Sequence, residues 1–170
     1  MASETKAILP SNKLGITFGL ATGLSMVVYN LILRMMHVPD ASWLNFMVLV
    51  IYLVGVLWFC YIFSKNENHD TSFGGMFKGG FRMIAIVTIV LLTAALLTVF
   101  IDPSVKKEIM DNNLAALVAA KKTKAEIDSA MKLARDNFTL MIVMNAVFTN
   151  IFYGVIFALV GAGIFKKSKA

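Results

Sequence analysis

The chain has 170 residues, 58% of them hydrophobic and only 15% charged, with a formal net charge of +6; an ordinary soluble domain is about 25% charged. A mean hydropathy of +0.75 leaves too little polar surface for a globule that meets water on every side, so an integral membrane protein is expected. A single cysteine, Cys60, excludes an intrachain disulfide and all dithiol chemistry.

The first apolar run, 14–36, follows a mostly polar segment and is followed by His37, Val38, Pro39 and Asp40 without a small-residue cleavage site. It therefore reads as a retained signal anchor. On a 3.6-residue helix Gly15, Gly19, Gly23, Asn30 and Arg34 fall within about 100° of one another, a small-residue strip with a polar amide suited to close helix contact. The second run, 43–63, carries Trp43 and Tyr61 at its ends, where an aromatic ring keeps its polar atom in the headgroup layer.

The segment from Ser64 to Arg82 reads as a loop. Its string Glu67-Asn68-His69-Asp70 lacks the convergent, fixed ligands a metal site needs. Phe73, Phe77 and Phe81 are spaced by four and share one face, as in an interfacial helix that turns into the third span. Among them Gly74, Gly75, Gly79 and Gly80 tempt a phosphate-cradle reading. A P-loop, however, requires Gly-Lys-Ser/Thr after a strand, whereas here Lys78 precedes Gly79. A tight bend or close helix packing accounts for the glycines, and nucleotide binding is rejected.

The third run, 83–101, ends at Asp102-Pro103, an N-cap residue followed by a proline at the first helical position. An amphipathic helical hairpin is expected over 103–136. Val105, Ile109 and Leu117, with Leu114 and Val118, recur at helical spacing; Thr123-Lys124-Ala125-Glu126 then forms a capping box that opens a second helix with Ile127, Met131 and Ala134 on one face. Those faces have three outlets: each other, the bilayer interface, or a partner. In the last run, 138–165, Ala146, Asn150, Gly154, Ala158 and Ala162 recur every four residues, a second flat strip, with Asn145 a further buried amide. The strips of the first and last spans are expected to meet each other or neighbouring copies.

Each run reaches the ~20 residues that cross a ~30 Å hydrocarbon layer. No period-2 pattern supports a barrel. The fold class is therefore all-α: one four-helix transmembrane domain over 1–170 with an amphipathic helical hairpin between its third and fourth spans. Four spans place both termini on one side. Lys6, Lys13, Lys65, Lys78, Arg82, Lys166, Lys167 and Lys169 flank that side, and an equal number, Arg34 with seven in the hairpin loop, flank the other. Phe165-Lys166-Lys167 abuts a span directly, whereas the hairpin lysines are diluted by acids, which favours cytoplasmic termini.

The Ser-Phe-Gly-x-x-Phe-Lys-x-Gly-Phe entry over Phe73 to Phe81, the Ile101-Asp102-Pro103 exit and the Ala125 to Lys132 stretch together resemble domain of unknown function 4199, a family of four-pass membrane proteins of Bacteroidota. The resemblance spans nearly the whole chain and implies a bacterial inner-membrane location. It brings no catalytic residue, because the family has no assigned activity.

Little chemistry is expected. His37 and His69 lie in consecutive loops, and therefore on opposite faces of the membrane, so they cannot share a metal. No nucleophile elbow or His-Glu-x-x-His pair is present. No Asp or Glu lies within a span, which argues against proton-coupled efflux. The lysines flank spans without a basic patch interleaved with aromatics, which fits anionic headgroups and not nucleic acid. The reading is a non-enzymatic protein without cofactor or metal, acting by helix packing through Gly15, Gly19, Gly23, Asn30, Asn145, Asn150, Gly154 and Ala158. Phe73, Phe77, Phe81, Asp102 and Pro103 stand at the interface. Its partners are the bilayer and either further copies or another membrane protein. The alternative is a small oligomeric pore or carrier for a neutral or weakly charged solute, with the three asparagines lining the path.

Overall fold

A computed structural model describes residues 11–38, 42–65 and 70–166, which include six α-helices and no strand. They are α1 (Ser11–Met35), α2 (Met47–Ser64), α3 (Phe73–Ile101), α4 (Ser104–Ala119), α5 (Lys124–Asp136) and α6 (Phe138–Phe165), and one 3-10 turn, Trp43–Phe46, leads into α2. Among the described residues four stretches are long and apolar enough to cross a membrane: Lys13–Met35, Trp43–Ser64, Phe73–Ile101 and Phe138–Phe165. The protein is a multi-pass, all-helical membrane protein.

The third of these is longer than expected. Instead of a loop with a separate interfacial helix, α3 is one helix of 29 residues, about 43 Å at 1.5 Å per residue. Its start is built by local hydrogen bonds. The Ser72 N–H donates to Asp70 Oδ1 at 3.1 Å, and the Gly75 N–H donates to Ser72 Oγ at 3.2 Å, so Ser72 acts as an N-cap. A Cβ on Gly75 would run into the carbonyl and carboxylate of Asp70. The helix tolerates its interior glycines, at about 1 kcal/mol each in propensity, because Gly79 lies against the rings of Phe59 and Phe63 and Gly80 against Ala158.

The chain divides into two compact units. The first runs to Leu91 and resumes at Thr149. Its largest fully buried side chains, Tyr52, Val56, Phe59 and Cys60 with Met76, Met83, Ile84 and Val87, all come from α2 and α3, so these two helices form its centre. Phe18 of α1 meets Phe59 edge to face at 6.0 Å, and Phe157 of α6 meets Tyr52 at 5.5 Å. The outward sides of the helices are apolar, with Leu24, Trp58 and Ile89 each more than half exposed. That distribution suits a lipid solvent and not water.

The second unit, Leu92–Phe148, holds the end of α3, the α4–α5 hairpin and the start of α6. Among the described residues two helix ends close on a non-glycine residue with positive φ: His37 at 52° after α1 and Lys121 at 53° after α4. In each case the following N–H reaches back to a carbonyl five residues earlier, Val38 to Leu33 at 3.1 Å and Lys122 to Leu117 at 3.3 Å, the Schellman arrangement usually given to glycine.

Candidate functional site

The glycine strip of α1 lies on α3. A Cβ on Gly15 would sit 3.7 Å from the Gly79 carbonyl; on Gly19 it would approach Ile86 Cβ to 2.7 Å and the Met83 carbonyl to 2.9 Å; on Gly23 it would meet Val90 at 3.0 Å. At Gly19 only a bare backbone fits such an approach, while Gly15 has room for a methyl group. The strip of α6 lies on α2 and α3. Gly154 has no room for a Cβ beside the Tyr52 hydroxyl and Ile84, Gly161 packs on Cys60, and Ala158 is fully buried. The strips thus meet the two central helices, where the sequence suggested each other or neighbouring copies.

The three amides do not form a set. Asn150 is half-buried, and its backbone carbonyl accepts a hydrogen bond from Tyr52 Oη at 3.2 Å. Asn30 and Asn145, expected to be buried, are both exposed. Asn145 precedes Gly154 by nine residues, which is two and a half turns, so it projects from the side opposite the strip. Asn30 shares the strip's angle but stands two turns beyond Gly23, the last glycine in contact. Periodicity tells which residues share a face, not how far the neighbouring helix follows it. Tyr52, the centre of this packing, was not singled out from the sequence; a tyrosine in mid-span without a polar neighbour in the chain was the available signal.

Phe73, Phe77 and Phe81 form a ladder along α3, with ring centroids 6.5 and 6.3 Å apart in succession. Phe73 and Phe81 are exposed, and Phe77 is half-buried. Asp102 caps α4: its Oδ1 accepts from the Ser104 N–H at 3.0 Å and from Ser104 Oγ at 2.5 Å, while Pro103 already has helical dihedrals. A carboxylate there complements the positive end of the helix.

In the hairpin, Thr123 and Glu126 form the expected capping box. The Thr123 N–H donates to Glu126 Oε2 at 2.9 Å, and the Glu126 N–H donates to Thr123 Oγ1 at 3.4 Å. The bond from the Thr123 backbone, then the one from its hydroxyl, then Lys122, hold the Glu126 carboxyl below the usual carboxylate range. The α4 and α5 faces turn toward each other, but loosely. Asn113, Ala116, Leu117, Ala130, Met131 and Ala134, with Met141 of α6, surround an open cavity of about 310 Å³. No residue of α5 is fully buried. Leu114, Val118 and Leu133, at 39%, 57% and 66% exposure, lie outside this contact. Leu114 and Val118 thus stand off the face that Leu117 turns toward α5, because 3.6-residue geometry places them about 60 to 100° from Leu117. At the base, Lys106 Nζ sits 5.0 Å above the ring of buried Phe138.

Among the described residues no three His, Cys, Asp or Glu side chains are grouped to hold a metal ion. His37 is exposed; Pro39, Asp40, Glu67, Asn68, His69 and the lysines at 6, 167 and 169 lie outside the described residues.

Over residues 15–167 the chain matches the family model described as protein of unknown function (DUF4199), and it belongs to that family. No curated protein and no solved structure matches it.

Proposed function

We propose that this protein is a non-enzymatic accessory component of a bacterial inner membrane, in which the four spans form an anchor and the α4–α5 hairpin is the part offered to a membrane-protein partner. The observation that carries this reading is the hairpin's incomplete closure. Its helices are capped at the start of each, yet Leu114, Val118 and Leu133 remain exposed and the space between α4, α5 and α6 stays open. An amphipathic element with unspent apolar surface is suited to docking.

Polar markers on the four spanning helices support an extramembrane hairpin. Lys13 to Arg34, Trp43 to Lys65, Arg82 to Asp102 and Asn145 to Lys166 are separated by 21, 22, 20 and 21 residues. Each interval is about 30 to 33 Å, one hydrocarbon thickness. In this register Asp102 and Asn145 sit at the same headgroup layer, and the first two turns of α6 stand beyond it with α4 and α5. The exposed Asn145 amide then meets polar headgroups. Lys13, Lys65, Lys78, Arg82 and Lys166 mark the other layer, which the positive-inside bias makes cytoplasmic; a reporter fused after Ala170 and active only outside the cytoplasm would overturn that orientation.

Native mass spectrometry of protein gently extracted from its own membranes tests the accessory role. A stoichiometric foreign subunit is expected, and it should be lost when Leu114 and Val118 are both changed to Glu while the bundle stays folded. A homo-oligomer without foreign subunits would instead favour the oligomeric pore or carrier. That reading draws on the exposed amides Asn30 and Asn145, which a multimer would bring into a shared path, and solute flux in liposomes carrying Asn30→Leu and Asn145→Leu variants measures it.

A further inference from the structure

Between α1 and α2 a groove of about 460 Å³ opens outward from the first unit. Ala21 and Gly55 give it a shallow floor, and Phe18, Val54 and Trp58 stand as walls. The Thr22 side chain lies over Gly55, and Ser25 Oγ is turned back to donate to the Ala21 carbonyl at 2.8 Å, so the seam presents mainly hydrocarbon. All these residues fall within stretches that are long and apolar enough to span the membrane, where an empty slot would forfeit dispersion contacts along its whole lining.

One end of the groove is marked by charge. Val50, Val54, Trp58, Tyr61 and Lys65 follow one another at intervals of four, four, three and four residues, a single stripe on α2. Trp58 is 59% exposed and Tyr61 42%, and Lys65 Nζ rests 4.2 Å above the Tyr61 ring. From Lys65 to Gly55 is about 15 Å along the helix, half of a ~30 Å hydrocarbon layer. The geometry points to a binding site for an anionic phospholipid, with its phosphate at the Lys65 ammonium and Tyr61 hydroxyl and one acyl chain lying past Trp58 in the α1–α2 groove. The stripe begins with a cation at headgroup level, passes mid-membrane near Val54 and ends at Val50, about 22 Å from Lys65; the charge at its headgroup end favours a lipid as the occupant. A packed helix from a second copy would need no cation at its end.

The chain has two tryptophans, Trp43 and Trp58, so Trp43→Phe leaves Trp58 as sole reporter. The protein would be reconstituted in phosphatidylcholine vesicles containing increasing fractions of phosphatidylglycerol brominated on its acyl chains. Quenching of Trp58 is expected to saturate at a low mole fraction. Lys65→Gln should raise the half-saturating fraction about fivefold, the factor that corresponds to about 1 kcal/mol per basic residue at a lipid surface. Ala21→Phe, on an exposed position of the floor, should remove the saturable component; Lys65→Gln, at an exposed helix end, tests the site independently should the larger side chain disturb folding. Quenching that rises linearly and identically in all variants, or equally with brominated phosphatidylcholine, would overturn the site. So would efficient disulfide-linked dimerisation of a Ser25→Cys variant, which would assign the groove to a second copy.

Discussion

The contact between α1 and α3 makes a graded prediction, because three glycines on one strip have different amounts of room. A methyl group added at Gly15 would meet its nearest neighbour at 3.7 Å, at Gly23 at 3.0 Å, and at Gly19 at 2.7 Å. The first is ordinary van der Waals contact. At Gly23 the neighbours are Val90 Cβ and Cγ1 at 3.0 Å, so a shift of a few tenths of an ångström is enough. At Gly19 the obstacles are Ile86 Cβ and the Met83 carbonyl oxygen, which cannot move unless α3 moves. Overpacking of that kind costs about 1–3 kcal/mol, while each Gly→Ala change recovers up to about 1 kcal/mol of helix propensity. Gly15→Ala should therefore be neutral or slightly stabilising, Gly23→Ala should lie near zero, and Gly19→Ala should lose about 1–2 kcal/mol. Equilibrium unfolding in mixed micelles, followed by tryptophan fluorescence, gives the three values on one scale. If Gly15→Ala were as damaging as Gly19→Ala, or if all three were silent, the close approach of α1 to α3 would be refuted.

Three further outcomes follow from single contacts. Tyr52→Phe removes the hydrogen bond to the Asn150 carbonyl and should cost about 0.6 kcal/mol, the average for interhelical bonds in membrane bundles, in the same unfolding assay. Lys121→Gly relieves a residue held at φ 53° and should stabilise the hairpin by up to about 1 kcal/mol, seen as slower amide exchange in α4 and α5. Because the Glu126 carboxyl is held below its usual range by the Thr123 bonds, its contribution is fully present above the unfolded carboxylate range and is lost as pH falls through the lowered folded value. The Thr123 amide resonance should report that loss at the acid end alone, and Glu126→Gln should flatten the profile.

Most of the spanning architecture was legible because it follows from one-dimensional rules. Apolar run length fixes where a helix can cross, and side-chain chemistry at its ends fixes the caps, as at Asp102 and the Thr123–Glu126 box. The start of α3 was not legible for a physical reason. Gly74, Gly75, Gly79 and Gly80 carry a propensity penalty that a local reading can see, while the compensating contacts of Gly79 with Phe59 and Phe63, and of Gly80 with Ala158, come from helices distant in sequence. The same limit explains the candidate site. Spacing of four put Gly19 and Gly154 on strips of small residues but was silent on which helix each would meet.

The exposed amides sharpen this point into a constraint on function. A side-chain amide with no partner in hydrocarbon costs several kcal/mol, so a stable chain must place Asn30 and Asn145 near headgroups or against another polar group. In the proposed register the 21-residue interval from Asn145 to Lys166 puts Asn145 at the membrane surface. Asn30, four residues before Arg34, lies about 6 Å deeper than that arginine, within reach of the interface for a short side chain aided by local water. In that register headgroups satisfy both groups in a single chain, so exposure of these amides does not demand oligomerisation. The hairpin's uncovered Leu114, Val118 and Leu133 have no such solvent, because in the proposed register they stand in water. That asymmetry is why the search for a partner belongs at the hairpin before the spans.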